Sequence, residues 1–450
     1  MAENELHVGE PRLCHLIDGD PDTPEAVVML QNTGDAITAT FPISGMASLQ
    51  RGPYDRWWFR DIEYADDLDR AKYSYSPPPV LMVYDDAGPV VLVGCRATGG
   101  ARQTFSAGKG VILADFAVLG GRNLKYGEIN GMRTTSPAYR KWSGGSAIEI
   151  IQETDDTGRL ESLTLTLHQV ESMKVAQRLN LSARQNWSST PALDGYDVRE
   201  SLTFQTLVKR PRSWLEHLDP HIDILDLISI AAWKNCAFQK ISVNREDDPA
   251  KGPHGTVGER WSNVVSHRLP GDDLTDCDGH FLFSYGDMNK GGINRWLRLR
   301  KDYGRALDYL LRILRSGHTW SPQSAVMSGI ALEQLGYLIE MKRGSGSRLN
   351  ERGGLSFKNA LDVILGDMKT LPINQDEVED WKDRCRNLYM GAKHGDRQEV
   401  DHLTMLNTLR ENLLVLRYWI AGRLGVSSKA LDCNLPWDPL RSRFISEEST

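Results

Sequence analysis

The sequence predicts an α+β multidomain chain in two parts. A β-rich N-terminal domain, antiparallel and sandwich-like in texture, spans 1–290, and an all-α C-terminal bundle spans 291–450. Three observations carry this. Up to about residue 210, apolar residues come in short or alternating runs broken by turn residues, the period of half-buried strands. From about 291 they recur every three or four positions along much longer segments. Between the two textures, 244–280 is rich in Asp, Gly and Pro and reads as long loops or an irregular insertion.

The elements follow in order. In "PVLMVYDDAGPVVLVG" (79–94), "DDAG" separates two β-rich runs as a hairpin loop does, and "YSPPPV" (75–80) is a stiff, extended entry into the first of them. The same texture recurs in "GKGVILADFAVLGG" (108–121), "SAIEIIQETDDTGRLESLTLTLHQV" (146–170) and "DVRESLTFQTLV" (197–208). At 213–235 Ser213 is placed to cap a helix with Ile222, Leu225 and Ile228 at helical spacing, and "AFQKISV" (237–243) reads as one more strand. Leu299, Tyr303, Leu307, Leu310 and Leu314 then form a stripe stopped at Gly317. Ser321 followed by Pro322 starts the next helix, "SFKNALDVILGDM" (356–368) makes another, and Asn374 with Glu377 resembles a capping box. Leu406, Leu409, Leu413, Leu416 and Ile420 give a packing seam ended by Gly425.

Composition narrows the function classes. A net charge of −7 over 450 residues creates no whole-molecule attraction for nucleic acid, so any such contact must be local. The start of the chain lacks the basic and apolar regions of a signal peptide, and no segment approaches ~20 uninterrupted apolar residues. A cytoplasmic protein with no membrane contact is the expectation. The six cysteines lie far apart with no CxxC pair, which argues against a zinc ribbon or a disulfide framework.

The stretch "DRCRNLYMGAKHGDR" (383–397) concentrates candidate chemistry. His394, near a helix C-terminus, can exchange a proton near neutral pH, and Arg386 can bind phosphate oxygens through a permanently charged fork. Eight residues apart, the two are ~12 Å distant along an ideal helix and do not touch within one chain. Two such helices packed antiparallel across a two-fold axis bring the arginine of one beside the histidine of the other. That pairing suits metal-independent RNA cleavage, in which the ribose 2′-hydroxyl loses a proton, the 5′-oxygen gains one and a phosphorane needs cationic stabilisation. Asn387 is placed to orient either group. The bland alternative is the polar side of an ordinary helix. Elsewhere, His217 and His221 stand four apart as metal ligands can, but Pro220 lies between them and no third ligand is evident. "YDRWWFRD" (54–61) could stack on bases, though core packing is the commoner use of such aromatics. No phosphate loop, GxSxG elbow or HExxH motif is present.

The "RN…KHGD" segment within a C-terminal bundle resembles the HEPN domain. With "ISIAAWKNCAFQKISV" (228–243) and "ALEQLGYLIE" (331–340) it is similar to the ApeA-like group of HEPN proteins, bacterial antiphage defence factors. The resemblance implies abortive infection through an endoribonuclease acting as a homodimer through its helical domain, with tRNA the favoured RNA, no cofactor or metal, and a phage-derived trigger. By position it implies Arg386, His394 and Asn387 as catalytic residues, with Lys393, Arg384 and Arg397 contacting RNA. Seven residues separate Arg386 from His394, one more than the family's usual upper limit, and Gly391 permits a local bulge that restores their facing. The alternative is a non-catalytic dimerisation or RNA-binding regulator.

Overall fold

The computed structural model describes residues 4–19, 26–43, 54–63, 75–101, 108–252, 257–267, 279–344, 346–393 and 400–445. In chain order the first half carries β1 (Pro11–Ile17), β2 (Ala26–Asn32), β3 (Ile37–Ile43), α1 (Arg56–Glu63), β4 (Val80–Asp85), β5 (Gly88–Val93), β6 (Arg96–Ala101), β7 (Gly108–Ala114), β8 (Phe116–Leu119), β9 (Glu128–Thr135) and α2 (Pro137–Ser143). There follow β10 (Ile148–Thr154), β11 (Leu160–Leu167), β12 (Met173–Ala176), β13 (Leu181–Ala192), β14 (Gly195–Ser213), α3 (Trp214–Ala232), β15 (Lys240–Asn244), β16 (Ala250–Lys251), β17 (Val257–Gly258) and β18 (Ser262–Val265). Helices α4 (Gly292–Arg315), α5 (Pro322–Arg343), α6 (Phe357–Asp367), α7 (Val378–Lys393), α8 (His402–Leu424) and α9 (Ser428–Asn434) complete the chain. The two-part α+β architecture expected from the sequence is therefore present, with helices taking over at Gly292. The compact units are nevertheless interleaved: Met1–Thr135, Phe204–Asp219 and Phe238–Pro270 form the first, and Ser136–Thr203, Pro220–Ala237 and Gly271–Thr450 the second.

The first unit is built on antiparallel strands in the order β14-β9-β15-β18-β8-β5-β4-β1-β2-β3-β7-β6. Alternation does the sorting: on β3, Ile37, Ala39, Phe41 and Ile43 are buried while the residues between them are less so. The "DDAG" hairpin forms as read, with Asp85 opposite Gly88 and the Asp85 carboxylate accepting from the Ala87 and Gly88 amides at 3.1 and 3.2 Å. Ser213 and Glu216 form a reciprocal cap: the Glu216 amide donates to Ser213 Oγ (3.4 Å) and the Ser213 amide to Glu216 Oε2 (3.2 Å). The aromatics of "YDRWWFRD" lie on the turn into a short helix, α1, within the sheet-rich region. Trp57 packs on Tyr54 and Phe41 at ring distances of 4.7 and 5.7 Å, and half-buried Trp58 donates its indole N–H to the Thr98 and Val111 carbonyls. His217 is buried with both ring nitrogens used, on Thr206 Oγ1 (2.8 Å) and the Ile129 carbonyl (3.1 Å), and burial holds its pKa below the usual value.

The second unit holds the β10–β11 ribbon, the order β12-β13-β14, and the helical bundle. The α4 stripe is buried as read, and Ser321 caps α5 by accepting from the Ser324 amide. At Gly336 the α5 backbone approaches α6 so closely that an added Cβ would lie 2.5 Å from the Ala360 carbonyl oxygen. Helix α8 is buried nearly all round, Arg410, Glu411, Asn412 and Arg417 included, and Gly425 ends it at φ +86°. Arg417 and Asp438 form a fully buried ion pair (2.6 Å), and Arg417 also donates to the Ile230 and Ala231 carbonyls. Asn374 and Glu377 do not form the expected capping box. Their side chains bond each other at the start of a 3₁₀ turn (3.2 Å), because the Glu377 carboxylate is drawn to Arg443. Among the described residues no helix is long and apolar enough to cross a membrane.

Candidate functional site on helix α7

Helix α7 has two faces, and the side chains of its first fourteen residues are described. Val378, Trp381, Lys382, Cys385, Leu388 and Tyr389 are buried, following the three-and-four spacing of a packed stripe, whereas Glu379, Asp380, Asp383, Arg386 and Asn387 are exposed. The buried face is fixed by a polar chain: Trp381 Nε1 donates to Asn412 Oδ1 (3.0 Å), Asn412 Nδ2 donates to Ser328 Oγ (3.0 Å), and that hydroxyl donates to the Ala325 carbonyl (2.7 Å). Such buried bonds hold α7 in rotation and register against α5 and α8, since a shifted helix would leave each group unpaired. One turn on, Tyr389 fits against Gly329 of α5 and donates to Glu333 Oε2 at 2.9 Å. Burial, reinforced by Glu333, raises the phenol pKa above its ordinary range.

Two cations of α7 are already neutralised. Arg384 reaches buried Glu411 at 2.6 Å and also pairs with Asp380, while Lys382 pairs with Asp362 (2.6 Å) and Glu379 (2.8 Å). Glu411 also meets Arg443 (3.3 Å), which grips Glu377 (2.8 Å), so Arg443 ties the 3₁₀ turn before α7 to α8. The bond to Arg443 holds the Glu377 carboxyl below its usual pKa. Arg386 and Asn387 stand on the solvent face, and among the described residues their side chains make no hydrogen bond or ion pair. The Cys385 thiol is raised to about 12 by burial, so it is not ionised near neutral pH and is no nucleophile there.

Of the residues singled out from the sequence, Arg386 and Asn387 are thus brought to one exposed face and Arg384 is placed in an acidic clamp. His394 and Arg397, and the side chain of Lys393, lie outside the described residues. Sequence reasoning missed Glu411 and Asn412, which organise the helix from the other side. The signal was a charged and an amide residue inside the apolar seam "NLLVL" and its flank, "RENLLVLRYW", where a buried polar residue needs a partner. Among the described residues no group of three or more His, Cys, Asp or Glu side chains is set to hold a metal ion.

Fold and site together define a class: a sheet-rich α+β protein whose helical bundle presents an arginine and an asparagine on a rigidly seated helix. Residues 35–296 match the family model described as ApeA N-terminal domain 1, and the chain belongs to the ApeA family. That membership places it in an antiphage defence family. No curated protein and no solved structure matches the chain. The family match ends before α7, so the chemistry of that helix rests on its own residues.

Proposed function

We propose that the protein is an antiphage defence endoribonuclease that cleaves RNA, with tRNA the favoured substrate, in a homodimer formed through its HEPN-type bundle. The observation that carries the reading is Arg386 and Asn387 side by side on the exposed face of a helix whose opposite face is locked by Trp381, Cys385 and Asn412. In this reading His394 takes the 2′-hydroxyl proton or returns one to the 5′-oxygen. Arg386 meets the charge that builds on the phosphorane, and Asn387 orients one of them. Lys393 and Arg397 contact the flanking phosphates. Arg384, whose charge goes to Glu411 and Asp380, acts by seating the helix.

The reading is tested by incubating the full chain and His394→Ala with total tRNA in EDTA and mapping product ends. Cleavage leaving 2′,3′-cyclic phosphate, absent in His394→Ala and Arg386→Ala, supports it. Arg386→Lys should rescue only in part, because an ammonium lacks the two-pronged phosphate geometry. Cleavage retained in His394→Ala removes this site from the mechanism. One observation favours a second reading, an RNA-binding or dimerising regulator: the exposed face of α7 also carries Glu379, Asp380 and Asp383, which oppose a polyanion. It predicts RNA binding that survives His394→Ala and no cleavage by the wild type.

A further inference from the structure

Among the described residues, strands β10 and β11 pair only with each other, as a two-stranded ribbon. Directly opposed residues of an antiparallel pair share a face. Ile148 faces Leu167, Ile150 faces Leu165 and Gln152 faces Leu163, and past an irregularity at Glu153/Thr154 Leu160 opposes Thr154. The other face carries Glu149 with Thr166, Ile151 with Thr164 and Glu153 with Ser162. The ribbon is well made: Asp155 accepts from the Thr157 and Arg159 amides across its turn, both at 2.9 Å, and at its base the His168 amide donates to the Ala147 carbonyl. Yet Ile150, Leu160, Leu163 and Leu165 are 59, 57, 50 and 47% exposed. A two-stranded ribbon is marginal in water without a covering layer, and an aligned strip of half-exposed aliphatics is what such a layer would bury.

Charge and shape decide what covers it. Over Ile148–Gln152 and Leu163–Leu167 the apolar face carries no charged side chain, whereas Glu149 and Glu153 lie on the opposite face and Asp155 and Asp156 at the turn. A nucleic acid or an anionic lipid surface would find no cation on this face, and around it the five carboxylates of Glu149, Glu153, Asp155, Asp156 and Glu161 outweigh the single cation Arg159 at the turn. A flat, neutral, two-stranded apolar face of equal length does match, and a second copy of the chain supplies one. A two-fold axis stacks the two ribbons ~10 Å apart with every carboxylate turned to water. Seven residues at ~3.4 Å rise on strands ~4.8 Å apart offer only a few hundred Å² per copy. That falls short of the roughly 800 Å² per partner of a stable complex, so the association depends on concentration.

We propose that the chain self-associates through the Ile148, Ile150, Leu163, Leu165 and Leu167 face of the β10–β11 ribbon, an interface distinct from any formed by α7. The proposal does not rest on the ribonuclease reading and is measured without RNA. Sedimentation velocity of the full chain over about a hundredfold concentration range should show a doubling of mass with concentration. In the Ile150→Asp, Leu165→Asp double variant that step should vanish or weaken at least ~10-fold. Ile151→Asp, on the opposite face, should leave it in place. The milder Ile150→Thr, Leu165→Thr pair keeps strand propensity and should weaken the same step, which separates lost contact from lost folding. A wild type with no doubling step, a wild type whose concentration-dependent steps are all unchanged in the double aspartate variant, or a step lost equally in Ile151→Asp overturns the proposal.

Discussion

Arg417→Met is the substitution whose cost the structure determines most directly. Arg417 and Asp438 are both fully buried, joined by two bonds of 2.8 and 2.6 Å, and the same guanidinium satisfies the Ile230 and Ala231 carbonyls at 2.8 and 3.0 Å. Methionine fills a similar length but leaves the Asp438 charge buried without its counter-ion, retaining among the described residues only the Leu440 amide at 2.8 Å as donor to the carboxylate. Breaking a buried pair from one side costs about 3–5 kcal/mol. Against a typical total of about 5–15 kcal/mol this is a large fraction. At roughly 1–2 °C per kcal/mol for a chain of this length, the thermal unfolding midpoint should fall by about 5 °C. The measurement is urea unfolding of the wild type, Arg417→Met, Asp438→Leu and the double variant. The double should be milder than the sum of the singles by at least ~2 kcal/mol, since it removes both charges together. A single-variant cost below ~1 kcal/mol, or an additive cycle, would refute the reasoning.

Two further substitutions test the seating of α7 and the acid–base character of the bundle. Gly329→Ala places a Cβ 2.6 Å from the Tyr389 ring and should destabilise by about 1–3 kcal/mol through overpacking, whereas Gly366→Ala, with nothing within 4 Å, should not. If the two behave alike in urea unfolding, the close approach of α7 to α5 is wrong. Burial pushes the Asp226 carboxyl up to about 6 despite Arg315 and Arg300 beside it. Its folded pKa exceeds the unfolded value near 3.8, so the folded chain binds the extra proton and this group's contribution is most favourable below pH 4. Stability should then fall as pH rises from about 4 to 6, and Asp226→Asn should flatten that segment of the profile. An unchanged slope in the variant would mean that the arginines keep the carboxylate ionised.

Much of the fold was legible because its signals are local. The Tyr303–Leu314 stripe, the Ser321–Pro322 start, the Gly425 stop and the Ser213 cap each need only neighbours within a turn or two, and each is found in place. The misreadings involve distant partners. Asn374 and Glu377 have capping-box spacing, but Arg443, 66 residues on, claims the carboxylate. Trp57 has the core role read for it, against Tyr54 and Phe41, but nothing local marks the short helix that carries it. Asn412 gains its role from Trp381, 31 residues away, and Arg417 gains its role from carbonyls 187 and 186 residues away. On α7 the alternation of buried and exposed residues was readable, and the loss of Arg384's charge to Glu411 was not, since that acid sits in another helix.

The interleaving of the two units has a consequence for how the protein comes into being. The chain passes between them after residues 135, 203, 219, 237 and 270. A ribosome therefore releases the second unit in three instalments, and its first two, Ser136–Thr203 and Pro220–Ala237, wait for the helices that begin at Gly292. A fragment starting at 291 would carry Arg417 without the Ile230 and Ala231 carbonyls that receive it. Neither early termination nor a single proteolytic nick near 290 can release the bundle with its buried bonds complete, so a cell making this protein meets the finished helical unit only with the rest of the chain attached.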